Sequence, residues 1–339
     1  MNKRVAVTAM VLAGAGLPAS ALERHEVPTL YEAGHFYAVP MLETGQRLRL
    51  LVDTGGAGGG GWYVLGRKAV SRLQLATDAC SVDEGKAEVV TSLAFRDGQG
   101  LPASAGTPCH SVALVLPVDG AVDGEDGLLG AGYLPGHIWT FDYPARKLWL
   151  ESDAWTPTRG MHAASLGFPR DGQGRAQTGF ARIGATVGGQ PFDFLLDTGA
   201  TARPTDAGKS TATSLSAHGI GVTSYIVTRV FERWHREHPS WRVVEHGDNL
   251  LGARFDSRLI EVPEIEVAGW RVGPVWFTER PDAAFGEQPG GMSSYMDQPV
   301  VGVIGANVFM HFSMTLDYPA AKAWFACVEG CRAIQAQRR

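Results

Sequence analysis

The chain has 339 residues with 45% apolar content, 30 Lys and Arg against 35 Asp and Glu, and a formal charge of −5. That is enough chain and apolar surface for about two packed domains. A mildly acidic protein without basic runs has no electrostatic basis for binding nucleic acid or an anionic membrane surface.

Residues 1–21 open with Lys3 and Arg4, run apolar from Val5 to Leu17 and end in Ala19-Ser20-Ala21. This is the pattern of a secretory signal peptide with a small-residue cleavage site. The apolar run is shorter than the ~20 residues a membrane-spanning helix needs. No cysteine stands near the cleavage site for lipid attachment, and no later segment is long enough to span. The expectation is a periplasmic or secreted protein with no membrane insertion after cleavage; the mature chain then carries 28 basic and 35 acidic residues, a net charge of −7. Four cysteines in an oxidising compartment are expected as disulfides. Cys80 is paired with Cys109 and Cys327 with Cys331, because each pair is local to one half of the chain. Free thiols or a metal site are the weaker alternative, since no histidine falls at ligand spacing around them.

The first folded unit is expected over 22–152. Here RLRLLV leads into Asp53-Thr54-Gly55, followed by glycine at every position from Gly56 to Gly61 except Ala57, and then the apolar run Trp62 to Leu65. A glycine-rich loop that cradles phosphate is followed by a helix and a Lys-Ser/Thr pair; both are absent, and a flexible active-site turn is the better reading. Glu88 to Phe95 reads as a strand entering a hairpin at Asp97-Gly98. Such a hairpin is either a flap that closes over substrate, with Phe95 near its tip, or an ordinary surface hairpin. Asp123, Glu125 and Asp126 lack the spacing of a calcium loop and read as a solvated turn. Residues 153–169, with Pro157, Gly160, Gly167, Pro169 and little periodicity, read as a linker.

The second unit is expected over 170–339. In Phe192 to Thr201, FDFLLDTGAT, four of the five residues before Asp197 are apolar, which predicts a short strand buried on both faces and ending at the acid. Gly199 supplies the backbone freedom for a sharp turn, and Thr198 a hydroxyl able to bond across a symmetry axis. A buried carboxylate needs a partner, and the matching acid is Asp53. Val222, Ile226, Val230 and Trp234 recur every four residues, with Val227 and Phe231 beside them, predicting an amphipathic helix as the one large addition to this unit. His235 and His238 on its last turn form no HExxH motif and read as solvent-facing. Leu259 to Val267 and Trp270 to Phe277 alternate as strands joined across Ala268-Gly269.

The two units repeat each other. Each Asp-Thr-Gly stands eight residues after a Gly-Gln pair (Gly45-Gln46 and Gly189-Gln190). Further on, GLLGAGYLPGHIWTFDYPARKLWL from Gly127 aligns without a gap on GVIGANVFMHFSMTLDYPAAKAWF from Gly302, with ten of 24 positions identical. The chain is an internal duplication with one acid in each half.

An apolar strand entering Asp-Thr-Gly, with Leu128-Leu129-Gly130 or Val303-Ile304-Gly305 downstream, resembles the aspartic peptidases. The order repeated in one chain is similar to the two-lobed pepsin-like arrangement, while the short lobes and Gly305-Ala306-Asn307 are closer to retropepsin-like domains. The motifs cover about a third of the chain. The resemblance implies an all-β, bilobal fold of two double-ψ β-barrel lobes, with the amphipathic helix added to the second. It implies Asp53 and Asp197 as the catalytic pair at a pseudo-twofold axis and Thr54 and Thr198 as braces bonding to the opposite lobe. Gly55 and Gly199 would let backbone N–H groups approach the acids, and the segments at 128–130 and 303–305 would be buried support.

Two carboxylates so placed share one proton and titrate as a pair. One takes a proton from a bound water while the other donates to the scissile carbonyl, so water attacks a peptide bond with no covalent intermediate. Small hydroxyl residues often follow the first Asp-Thr-Gly of the family; Gly56 and Ala57 stand there instead, which loosens the hydrogen bonding around Asp53. The expected function is an exported, monomeric endopeptidase acting on peptide or protein, with no cofactor and no metal. The alternative is a periplasmic peptide-binding or regulatory protein that grips extended peptide without cutting it. No GxSxG elbow occurs and no cysteine has the setting of a nucleophile.

Overall fold

The computed structural model describes residues 24–57, 60–82, 85–104, 107–117 and 124–334. The signal segment, Asp123 and residues 58–59 of the glycine run lie outside them. Strands hold 41% of the described residues and helices 13%, so the class is all-β.

In the first half, eight strands lie in the spatial order Thr29–Glu32, His35–Ala38, Leu50–Asp53, Gly127–Gly130, Tyr63–Gly66, Ala113–Leu116, Gly85–Val90 and Thr77–Val82. The second half builds a ten-stranded sheet. Within it Arg182–Val187, Gln190–Leu196, Gly302–Ile304, Ser224–Val227, Val275–Arg280, Ser257–Val262 and Val243–Asp248 follow one another in the order of His35–Ala38 to Thr77–Val82. Each neighbouring pair also keeps its sense: the acid-bearing strand is parallel to the GLLG or GVI strand, which is antiparallel to the next. The duplication seen in the sequence is thus a duplication of strand topology, and it extends into segments whose sequences no longer align.

Both halves contribute to a third sheet of six strands: His25–Val27, Lys147–Glu151, Ile138–Asp142, Phe312–Asp317, Lys322–Cys327 and His162–Ser165. At its centre Ile138–Asp142 runs antiparallel to Phe312–Asp317 with Thr140 opposite Thr315. These two threonines are equivalents in the repeat, and their hydroxyls are 2.7 Å apart. A local twofold relation therefore passes between them. His162–Ser165 falls within the stretch read as a linker; it is an edge strand paired with Lys322–Cys327, too short to display a period.

Three helices are present among the described residues: α1 (Arg67–Leu73), α2 (Thr228–Glu237) and α3 (Ala306–Phe309). The expectation that a helix was added to the second half is corrected here. α1 follows Tyr63–Gly66 as α2 follows Ser224–Val227, so the helix belongs to the repeat; α1 is only seven residues long and buries Ala69, Val70 and Leu73, too few to register as a periodic stripe. The start of α2 also moves. Val222 and Ile226 belong to the strands Gly221–Val222 and Ser224–Val227, and a four-residue spacing of apolar residues ran unbroken across the strand–helix junction. The segment without a counterpart is 203–220, between Thr201–Ala202 and Gly221–Val222, which pair with each other.

The Glu88–Phe95 strand and its hairpin are also corrected. The strand is Gly85–Val90, and it pairs with Thr77–Val82 and Ala113–Leu116. Phe95 bridges Leu42 instead, and it is partly buried against the core, where its ring is held by packing rather than exposed at a hairpin tip. Asp126 does not sit in a solvated turn: it accepts the Arg49 backbone N–H at 2.9 Å and pairs with Arg72 at 2.6 Å. The 259–277 segment does form a hairpin across Ala268-Gly269, each arm broken into two strands. His235 is exposed as expected, whereas His238 stacks on Trp241 with ring centroids 4.1 Å apart. The cysteines pair Cys80 with Cys109 and Cys327 with Cys331.

The buried face of α2 anchors the second sheet through Trp234, which is 2% exposed and packs edge-on against Phe192 and Phe277. Trp234→Ala is expected to lower stability by about 3–5 kcal/mol through lost contacts and the cavity left behind; urea unfolding measures it.

Candidate active site

Asp53 ends the strand Leu50–Asp53, and Asp197 directly follows Gln190–Leu196. Each acid-bearing strand is central in its sheet: Leu50, Val52, Leu195 and Leu196 are all buried. Such strands are fixed on both sides, so the carboxyl groups are delivered with little freedom. The Asp197 N–H donates to the Ile304 carbonyl at 3.0 Å, and Asp53 lies in register with Gly130, so the two apolar-apolar-glycine segments support the acids from beside.

The two turns meet face to face. The Thr54 hydroxyl donates to the Leu196 carbonyl at 2.8 Å and accepts the Thr198 N–H at 3.0 Å. Reciprocally, the Thr198 hydroxyl donates to the Val52 carbonyl at 2.7 Å and accepts the Thr54 N–H at 3.2 Å. Both threonines are buried, Thr54 at 0% and Thr198 at 1% exposure. Each hydroxyl thereby satisfies one backbone donor and one backbone acceptor of the opposite half, none of which could reach water.

Glycine is required in these turns by space rather than by backbone freedom. Neither Gly55 nor Gly199 has a positive φ. A Cβ on Gly55 would lie 2.3 Å from Asp197 Cγ, and one on Gly199 would lie 2.3 Å from Asp53 Cγ. Each turn packs its glycine against the carboxylate of the other half. Each glycine N–H bonds the acid of its own turn: Gly55 donates to Asp53 Oδ1 at 2.9 Å and Gly199 to Asp197 Oδ1 at 2.7 Å.

The two carboxyl groups lie side by side, each acting on the other's proton affinity. Asp197 is 7% exposed, while Asp53 is half-buried and forms the more open side of the pair. Burial raises the Asp53 carboxyl above its ordinary range, opposed by the Asp197 carboxyl beside it and by the Gly55 and Gly56 N–H groups. Burial raises Asp197 further, and the charge of Asp53 adds to it, opposed by the N–H groups of Gly199 and Ala200. The pair therefore retains a proton where isolated carboxylates are ionised.

Around the pair lie residues that sequence reasoning missed. Tyr143 and Tyr318 are equivalents in the repeat, buried, with hydroxyls raised first by burial and also by Asp197 and Asp53 respectively. Their identity in the aligned segments was visible, but nothing in a Tyr-Pro dipeptide reports proximity to an acid in the other half, 54 residues away for Tyr143 and 265 for Tyr318. His35, Thr201 and Tyr225 also approach the Asp197 turn: the Thr201 hydroxyl lies 3.1 Å from His35 Nε2, and the Thr201 N–H donates to the Tyr225 hydroxyl at 2.8 Å. Phe95 and the two disulfides have no hydrogen bond to either acid's turn, and Phe95 lines a separate hollow with Tyr63, Leu93 and Leu101. The sequence matches no family model and no curated protein.

Replacing Thr198 by Val removes two bonds between the halves and leaves the Thr54 N–H and Val52 carbonyl buried without partners, a loss of about 2–4 kcal/mol in chemical denaturation. The raised carboxyls also set a sign for pH. The folded pair binds protons more tightly than the unfolded chain, whose aspartates titrate near 3.8. Its contribution is complete below that value and is lost as pH rises through the folded values. Asp197→Asn removes this loss, so the melting temperature of the variant should gain on that of the unaltered protein as pH increases from about 4 to 8.

Proposed function

We propose that the protein is an exported aspartic endopeptidase in which Asp53 and Asp197 activate one water between them. The observation that carries the reading is the reciprocal joint: two equivalent Asp-Thr-Gly turns, each bracing the other through its threonine and enclosing the other's carboxyl with its glycine. An arrangement that holds two acids together against their mutual repulsion serves shared-proton chemistry, and a purely structural turn has no use for it. The ionised member takes a proton from water, the protonated member donates to the scissile carbonyl, and the water oxygen bonds the carbonyl carbon.

In this reading each half is a lobe of double-ψ type, supported by the repeated order of parallel and antiparallel pairings. The signal-like leader and the two disulfides support a periplasmic or secreted location, and no helix among the described residues is long and apolar enough to cross a membrane. Both acids come from one chain, so a monomer suffices, acting on peptide or protein with no cofactor.

The second reading, a peptide-binding protein that does not cut, is favoured by one feature. After Asp53 the chain offers Gly56 and Ala57, with no hydroxyl to brace the turn, whereas Thr201 stands at the corresponding place after Asp197 and its hydroxyl donates to the Gly199 carbonyl.

Digestion of a diverse peptide mixture from acidic to neutral pH separates the two. The unaltered chain should cut, with a bell-shaped dependence from losing the single shared proton on one side and gaining a second on the other. Asp53→Asn and Asp197→Asn should each cut at least about a thousandfold more slowly while remaining folded. Peptide binding without any cutting would support the second reading instead.

A further inference from the structure

We infer that His35, a residue of the first half, is a positioning residue for the Asp197 turn of the second. This deepens the peptidase reading and rests on it. His35 is 1% exposed, and its Nε2 lies 3.1 Å from the Thr201 hydroxyl. That hydroxyl lies 2.8 Å from the Gly199 carbonyl, to which it donates. A hydroxyl has one proton, so with Thr201 donating to Gly199 the imidazole Nε2 must carry the hydrogen that points at Thr201. The chain of donors runs from His35 to Thr201 to the Gly199 carbonyl, and the same glycine's N–H holds Asp197 Oδ1 at 2.7 Å.

His35 is itself fixed by the turn before it. Gly34, at φ +91°, lies so close to Val222 that a Cβ would come within 2.5 Å of its side chain. Val222 pairs with Thr201 across the short ribbon after the catalytic turn. The ribbon is also held from its far side, since Tyr225 bonds both the N–H and the carbonyl of Thr201 and lies under the Arg280 guanidinium, 4.1 Å from the ring centroid. Arg280 pairs with the buried Asp248 at 3.1 Å. The charged group acting on His35 is Arg49 from its own half, whereas Asp197, Arg280 and Asp248 act on Tyr225 of the ribbon. Burial, with Arg49 adding to it and the Gly199 and Ala200 backbone opposing it, keeps the imidazole neutral down to about 4, so above that it is a plain N–H donor.

The other turn has no such device. Strand registers make Tyr37 the counterpart of Arg182, hence His35 that of Phe180, while Thr201 corresponds to Ala57. Phenylalanine and alanine form no hydrogen bond there. The two carboxyls are related by a pseudo-twofold axis, yet only Asp197 has its turn steered by a polar chain from the opposite half.

His35→Phe tests this by installing the side chain of the equivalent position, and His35→Gln keeps an amide N–H where Nε2 stands. The expected result for His35→Phe is a fall of about tenfold in kcat with KM little changed, and a carboxyl 13C titration of Asp197 with a higher midpoint, because its N–H donors are less well aimed. His35→Gln should recover most of both, and Thr201→Val should reproduce His35→Phe without adding to it in the double variant. The inference is overturned if folded His35→Phe keeps the parent kcat and Asp197 titration, or if His35→Gln recovers neither. Should the parent protein cut no peptide, the peptidase reading fails alone, and the NMR titration still decides the role of His35.

Discussion

Two carboxyl groups enclosed together repel each other when both are ionised and lose hydration in either state, so their proximity must be enforced from outside. Here it is enforced by two threonine hydroxyls exchanged between turns 144 residues apart in the chain. Each hydroxyl closes the backbone of the opposite turn, and each glycine leaves room for the opposite acid. Neither half can satisfy its own turn alone: separating them would strand two N–H and two carbonyl groups of the paired turns. The halves are thus joined by the same bonds that assemble the acids.

Behind the turns, the architecture repeats this reciprocity at larger scale. The shared six-stranded sheet places Thr140 against Thr315 at its centre, so the equivalent strands meet about the same local twofold relation as the turns. Gly34 seats the first half on Val222 of the second, and Gly179 seats the second half on Ala131 of the first, where a Cβ would meet the Ala131 carbonyl at 1.8 Å. These close approaches tolerate no side chain, so glycines at the seam fix the relative placement of the halves together with the shared sheet.

Symmetry of backbone does not carry symmetry of chemistry. The segment at 203–220, present only after Asp197, is flanked by the ribbon that includes Thr201 and Val222. His35, Tyr225 and Arg280 converge on that ribbon. On the other side Gly56 and Ala57 are held by backbone bonds alone, their carbonyls accepting the N–H groups of Ala131 and Gly132 at 2.7 and 2.8 Å. The turn of one acid is thus held by a polar network and that of the other by bare backbone.

The apolar run into Asp197, the second Asp-Thr-Gly at Asp53 and the aligned segments from Gly127 and Gly302 made the duplication and the two acids legible in the sequence, because strand burial and repetition are local patterns; the all-β class followed from the family resemblance those motifs carry. Locality also made the two cysteine pairs readable. The same patterns misled where two elements of different type share one apolar face, as at Val222 and Ile226, and where an element is too brief to show a period, as with α1 and the strand His162–Ser165. What only the tertiary structure decided is the set of contacts across the halves: that Gly55 and Gly199 serve close approach, that Phe95 packs on Leu42, and that His35 reaches Thr201. Such contacts join single residues far apart in the chain, and a single residue has neither period nor spacing by which to announce its partner.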